Sequence, residues 1–372
     1  MRKKVFDYII AISLILGLFF CIFSDMSFFV KESESKKNNS LTSEQNEQEK
    51  KSYGIDVPYE WNETVYENHI ICANIDVPEI IRKQGFKKAT AVQNEVTIDN
   101  LREILKEYDL KEDVLPDGST RYAGLYDSYL NIYQGTFYLT TASSIYLNMA
   151  YRDVTFMDSY NADKYPFDLE LEEFSLQECD EKLDAILKAM GVESDVIISR
   201  RSLDYHTMAQ EAIELHKDGT EGKPDYSWSV EDDCYYCKIS QLCNEVPVLP
   251  NENFIYWTNI IYDGMYTIAL RKDRIATMNC YQVFDISYED DYEELIAFPQ
   301  ILQKYKDIAV DVPKEQKIQI TDITLRVRPI KNDDGSYDLV PMWIFYGTQD
   351  IEGFLPYPYV VIFNALTGDV ML

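Results

Sequence analysis

Leu339-Val340-Pro341-Met342-Trp343-Ile344-Phe345-Tyr346 is apolar in both of its alternating phases. Successive side chains of a strand point to opposite faces of its sheet. Leu339, Trp343 and Phe345 on one face and Val340, Met342 and Ile344 on the other therefore both need cover. The stretch is expected to be a central strand, and its neighbours can be placed around it. Upstream, Ile318 and Ile320 alternate in one phase and Ile323, Leu325 and Val327 in the other. The flip at Thr321-Asp322 predicts a bulge or a break. Asn332-Asp333-Asp334-Gly335 reads as the turn between these strands. Downstream, Tyr357 to Phe363 is a second buried strand, Thr367-Gly368-Asp369 a turn, and Val370 to Leu372 a closing edge. A helix near Leu295 to Tyr305, started or kinked by Pro299, precedes the set. The unit spelled out is a helix followed by three antiparallel strands.

The ending Tyr359-Val360-Val361-Ile362-Phe363-Asn364-Ala365-Leu366-Thr367-Gly368-Asp369-Val370 resembles the closing hairpin of PepSY-type domains, in which an apolar strand runs into an Asp/Asn-Ala-x-Thr-Gly turn. Leu339 to Trp343 is similar to the strand before it. The match covers about 55 residues, with Asn364 in place of the commoner Asp. Over the rest of the chain, the order of elements and the Glu245-Val246-Pro247-Val248 strand end resemble an uncharacterised family of exported, often lipid-anchored proteins of Gram-positive anaerobes. The resemblance implies an extracytoplasmic module without known catalytic residues. Relatives with such domains include regulators of sensor kinases and of wall-active or proteolytic enzymes.

Further upstream, Leu176 to Met190 is the strongest helix. Ser175 and Glu178 form a capping box, Leu176, Cys179, Leu183, Ile186, Leu187 and Met190 line one face, and Gly191 stops it. The spacing of Leu101, Ile104, Leu105 and Tyr108 predicts a helix over Val96 to Tyr108 with Asp99 as its cap. Tyr122 to Met157 reads as two or three strands. Val196 to Ser199 is a short strand leading into a helix from Leu203 to Lys217, and Tyr235 to Leu242, Ile255 to Tyr262 and Tyr266 to Arg271 are further strands. Asp263-Gly264 is a hairpin turn between the last two. The expected class is α+β, with antiparallel sheets packed with short helices and the PepSY-like unit at the C-terminus. The expected organisation is 1–30 targeting segment, 31–52 tether, 53–220 an N-terminal α+β domain and 221–372 a mainly β domain.

The chain begins with Arg2, Lys3 and Lys4, followed by nineteen residues from Val5 to Phe23 that carry one charge, Asp7. About 20 apolar residues span a bilayer, and the basic start predicts the N-terminus inside and the remainder outside. Three fates stay open: an uncleaved anchor, a cleaved signal peptide, or a lipoprotein with Cys21 as the lipid-bearing cysteine, although Phe20 rather than a small residue precedes it. Residues 31–52 hold five acidic and five basic side chains and almost no apolar ones, the composition of a tether.

Of the 372 residues, 64 are acidic and 35 basic, a net charge of −29. Residues 53–372 carry 57 of the acids against 27 bases. Such a field argues against nucleic acid and against docking on anionic lipid, so the expected membrane contact is the N-terminal segment alone. It favours basic protein partners at the cell surface.

Cys72, Cys179, Cys234, Cys237, Cys243 and Cys280 lie beyond the anchor. Cys179, on the apolar face of its helix, reads as a small buried hydrophobe. Cys234, Cys237, Cys243 and Cys280 form the candidate disulfide pool. Cys234-x-x-Cys237 also resembles half a zinc ribbon, but on a strand residues three apart face opposite ways, and no second such pair exists. His69, His206 and His216 show no ligand spacing, and neither a nucleophile elbow nor a phosphate-binding loop occurs. No metal, cofactor or catalytic residue is expected. The acidic clusters Glu231-Asp232-Asp233, Glu289 to Glu294 and Asp333-Asp334 supply paired carboxylates for an alternative reading, an exported hydrolase acting on cell-wall glycan or peptide. Calcium would need a ligand twelve positions into the loop from Asn332, where a carboxylate is missing. The 29 tyrosines suit strands, or, where exposed, stacking on sugars or peptides. The leading expectation is a membrane-anchored, extracytoplasmic binding or regulatory module without catalytic activity.

Overall fold

The computed structural model describes residues 53–114, 120–133, 136–153, 160–215, 226–250, 264–310, 313, 315–351 and 356–371. All belong to one compact unit, residues 51–372. The expected anchor, Cys21, the tether, His216 and the expected strand Ile255 to Tyr262 lie outside the described residues.

The chain opens with β1 (Glu60–Tyr66) and β2 (His69–Asp76), helix α1 (Glu79–Gln84) and β3 (Phe86–Asn94). After α2 (Ile98–Leu101) come β4 (Lys111–Val114), β5 (Thr120–Gly124), β6 (Ser128–Tyr133) and β7 (Thr136–Thr140). Helix α3 (Ala142–Ala150), helix α4 (Leu176–Met190), β8 (Val196–Leu203) and helix α5 (Tyr205–Leu215) follow. The next strands are β9 (Cys234–Cys243), β10 (Val246–Pro247), β11 (Tyr266–Arg271), β12 (Ile275–Cys280) and β13 (Val283–Glu293). Helix α6 (Phe298–Ala309), β14 (Gln316–Lys331), β15 (Tyr337–Ile351) and β16 (Tyr357–Asn364) close the chain.

These strands form two large sheets. One runs β1-β2-β14-β15-β3-β13, with β16 also on β15; the other runs β10-β9-β11-β12-β7-β6-β5-β4, with β8 on β9. Over the described residues the protein is therefore mostly β, 47% strand against 24% helix, and the expectation of an α+β fold built from short helices packed on antiparallel sheets is corrected. The helix-plus-three-strand set at the C-terminus is part of a seven-stranded sheet rather than a separate unit, and that sheet is mixed, because β2 pairs parallel with β14. Each sheet takes strands from both sides of residue 220.

Local chemistry explains the clearest elements. Ser175 Oγ accepts from Glu178 N–H at 3.2 Å and Glu178 Oε2 accepts from Ser175 N–H at 2.9 Å, which starts α4; Gly191, at φ 77°, ends it. Both ladders of β14 shift register between Ile320 and Asp322, where the apolar phase flips. Strand β15 is central, held by β14 on one side and by β16 and β3 on the other. Its Trp343 and Phe345 join the main core with Phe298 and Tyr305 of α6, and Tyr305 stacks on Phe345 at 4.4 Å. Its Met342 and Ile344 pack on the opposite face with Leu249 and Ile362.

Two local expectations change. The segment Val96 to Tyr108 is a one-turn helix, capped by Thr97 with Asn100, followed by turns and a 3₁₀ turn at Lys106–Tyr108. Leu101, Leu105 and Tyr108 are still buried, and the Tyr108 hydroxyl donates to the Ile275 carbonyl. That tertiary contact outweighs helix propensity. Among the described residues between Tyr122 and Met157 the last strand ends at Thr140, and Ala142–Ala150 is helical with Leu147 and Ala150 buried.

The sheets are joined at Gln241 of β9. Its Nε2 donates to Ser194 Oγ and to the Phe284 carbonyl, both at 2.7 Å; its Oε1 accepts from the Tyr266 hydroxyl at 2.8 Å and from Phe284 N–H at 2.9 Å. Nearby, Leu249 N–H donates to the Val327 carbonyl at 2.8 Å.

Candidate functional site

Period-two geometry puts Ile197, Ser199 and Arg201 of β8 on the same face as Tyr236, Lys238 and Ser240 of β9. They are cross-strand neighbours, Ile197 beside Ser240, Ser199 beside Lys238 and Arg201 beside Tyr236. Tyr151, Asp153, Tyr160 and Phe167 from the segment after α3, Pro247 of β10 and Leu249 just after it, and Arg326 of β14 wall this face into a cleft of about 360 Å³.

Each cation of the cleft is positioned by its neighbours. Arg201 Nη1 donates to the Tyr165 carbonyl at 2.7 Å, and its guanidinium lies 3.6 Å from the Phe167 ring centroid. Lys238 Nζ meets Asp153 Oδ2 at 2.7 Å. Arg326 Nη1 meets Asp76 Oδ2 at 3.0 Å. Tyr151 packs on Tyr236 with centroids 4.6 Å apart. Three cations thus converge on the cleft against one lining carboxylate, Asp153, in a chain of net charge −29.

The wall is fixed from beneath by Glu211 of α5, which is buried. Its carboxylate accepts from Asn161 Nδ2 at 2.7 Å and pairs with Lys164 and Arg152. Asn161 in turn donates to the Ala150 carbonyl at 2.8 Å and accepts from Arg152 N–H at 2.8 Å. This buried network clamps the end of α3 to the Tyr160–Tyr165 segment, so the aromatic wall is preorganised.

The carboxylate clusters of the sequence are not brought together in the cleft. Asp232 Oδ1 pairs with Arg271 Nη2 at 2.7 Å, both buried, and also accepts from the Tyr226 hydroxyl. Asp233 Oδ1 accepts from Tyr205 N–H at 2.7 Å at the start of α5, and burial pushes its carboxyl up to about 6. Glu289 of β13 pairs with Lys88 at 3.1 Å. Asp334 Oδ1 accepts from Ser336 Oγ and N–H, which hold its carboxyl below the usual range. Among the described residues no group of three or more His, Cys, Asp or Glu is arranged to hold a metal ion.

Cys234 and Cys237 point to opposite faces of β9, each into its own core cluster. Cys243 ends that strand, and Cys280 lies on β12, two strands away. Burial pushes the thiols of Cys234 and Cys243 up to about 12 and that of Cys280 well up. Cys237 donates to the Cys179 thiol, which this contact and the Arg200 guanidinium hold below the ordinary range. Cys72 is exposed. His69 is buried on β2, its Nε2 against the Tyr305 hydroxyl, and burial pushes its imidazole down to about 4. His206 is exposed.

Sequence reasoning missed the cleft. The polar alternations Ile197-x-Ser199-x-Arg201 and Tyr236-x-Lys238-x-Ser240 were available as a signal. The walls, however, come mostly from segments remote along the chain, Tyr151 to Phe167 about 30 to 45 residues before β8 and Arg326 about 85 residues after Ser240, which no local spacing connects.

No family model matches this sequence, and no curated protein does either. Among solved structures, the chain is similar to an uncharacterised protein from Eubacterium rectale ATCC 33656, with a TM-score of 0.59 and 15% sequence identity; the match covers 85% of this chain and 94% of that one. At that identity the likeness speaks to the fold alone.

Proposed function

We propose that residues 53–372 act outside the membrane as a non-catalytic binding module, tethered by the apolar run 5–23, and that the β8–β9 cleft is where the module holds a protein partner. The observation that carries this reading is the meeting of Arg201, Lys238 and Arg326 with an aromatic wall, in a chain otherwise dominated by acids. Tyrosine and arginine in a preorganised concavity are the side chains that protein contacts use most effectively. The carboxylates a hydrolase would need are occupied elsewhere: Asp232 by Arg271, Asp233 by the start of α5, and Asp153 by Lys238. At long range the negative field favours a basic partner, whereas the cleft favours a carboxyl group at the point of contact.

The test is chemical crosslinking of the full chain in its membrane, with partners quantified by mass spectrometry for wild type, Lys238→Gln and Lys238→Glu. Capture of one protein by wild type, lost tenfold or more in Lys238→Glu and partly in Lys238→Gln, is the expected result. Equal capture by all three refutes the reading.

A further inference from the structure

The register of β8 on β9 determines which backbone groups of β8 are already used. Leu242 N–H donates to the Asp195 carbonyl at 2.8 Å, so residues of odd number on β8 exchange hydrogen bonds with β9. Those of even number, Val196, Ile198, Arg200 and Ser202, turn their N–H and C=O groups to the outer edge. At the C-terminal half of the strand that edge is covered: Asp168 N–H donates to the Arg200 carbonyl at 3.2 Å, and Ser202 N–H to the Pro166 carbonyl at 2.9 Å. At Val196 and Ile198 nothing among the described residues pairs with it. Ile197 is 51% exposed and Ile198 37%, so apolar side chains flank the open groups on both faces.

An uncovered edge with apolar flanks is a pairing template, which proteins ordinarily blunt with charge, proline or a covering segment. Here the covering segment Pro166–Asp168 stops short, and the open length leads directly into the cleft. Ser199 and Ser240 are small. A side chain on an added strand, in phase with Ser199, would therefore reach over Ser199 toward Lys238, which stands two strand spacings away, about 10 Å.

We propose that the open edge of β8 at Val196–Ser199 receives an extended peptide segment of the partner as an additional strand, with an Asp or Glu side chain of that segment seated in the cleft against Lys238 and Arg201. Main-chain pairing supplies the hold, and the cations select the side chain, the division of labour of β-strand addition. This inference rests on the cleft reading above and names the form in which the partner enters.

The experiment selects short random peptides displayed on phage against the full chain. The expected binders alternate β-branched or aromatic residues and carry one acidic residue in phase. Ile198→Pro removes only an outward N–H, a position where an edge strand tolerates proline, and is expected to weaken binding at least about tenfold. Lys238→Glu is expected to exchange the selected acidic residue for a basic one. In the unaltered protein, the Val196 and Ile198 amides should become protected from hydrogen exchange when a selected peptide binds, while Ile197 and Ser199 are protected already. Binding that survives Ile198→Pro with no new protection at Ile198 overturns the proposal. So does a concentration-dependent dimer of the full chain that Ile198→Pro dissociates, because the edge then belongs to a second copy. If Lys238→Glu abolishes membrane capture and Ile198→Pro does not, strand addition fails and the cleft reading stands. If neither variant alters capture, both fail.

Discussion

Replacing Gln241 by leucine tests whether the two sheets are held by the buried amide between them. The side chain is fully buried and makes four hydrogen bonds of 2.7–2.9 Å. Leucine has nearly the same volume, so the change removes bonds without opening a large cavity. It strands the N–H and C=O of Phe284 and the hydroxyl of Tyr266, whereas half-buried Ser194 can turn to water. A buried polar group left unpaired costs ~1–3 kcal/mol, so three give ~3–9 kcal/mol. The apolar gain of leucine and local relaxation offset part of this, leaving a net loss of about 3–5 kcal/mol. Measured as a shift in the urea midpoint by tryptophan fluorescence, that is a large fraction of the ~5–15 kcal/mol typical of a domain. A loss below about 1 kcal/mol would refute the reasoning and leave the junction to apolar packing and to its other links, such as Leu249 N–H to the Val327 carbonyl and Asn244 to the Lys87 backbone.

Four further outcomes are expected. Asp233 has a folded-state value of about 6, above its ordinary 3.8, so its ionisation weakens the fold as pH rises through 6; Asp233→Asn, which keeps the acceptor for Tyr205 N–H, should stabilise above pH 6 by up to about 3 kcal/mol and have little effect at pH 3.5. His69 has the opposite slope. Its folded value of about 4 lies below 6.5, the unfolded chain takes up the proton first, and stability should fall by about 3 kcal/mol between pH 7 and pH 4, a slope that His69→Gln should flatten in pH-dependent urea titrations. A Cβ on Gly347 would lie 2.0 Å from the Gln319 carbonyl oxygen and 2.7 Å from Ile320 Cα, both backbone, so Gly347→Ala should cost more than about 2 kcal/mol in thermal unfolding. Among the six described cysteines, a water-soluble thiol reagent should modify Cys72 in the native protein and reach the other five only after denaturation.

What could be read from the sequence was what neighbouring residues decide among themselves. Ser175 and Glu178 specify the start of α4 within four residues, and Gly191 its end. The phase flip at Thr321-Asp322 is a local pattern, and it marks the register shift in β14. Asn332 to Gly335 forms its turn, with Gly335 at φ 90°. What could not be read was pairing over distance. On β2 the buried phase is His69, Ile71, Ala73 and Ile75, while Ile70 faces out, so hydrophobicity does not alternate cleanly although burial does. Its parallel partner β14 lies about 250 residues away. Capped helices announce themselves locally and parallel strands do not, which is why the helical share was overestimated and the fold class misread. The cleft was hidden for the same reason, since β8 and β9 make its floor and distant segments its walls.

The nine-stranded sheet is drawn from residues 111–280 without interruption, whereas the seven-stranded sheet takes three strands before that stretch and four after it. A ribosome delivering this chain has therefore released everything the inner sheet requires while β2 and β3 still await partners that have not been synthesised. Premature termination soon after residue 280, before β13 and β14 are made, would leave a well-formed centre carrying orphaned N-terminal strands, a species that cellular quality control would recognise by its front end although the missing piece is at its back.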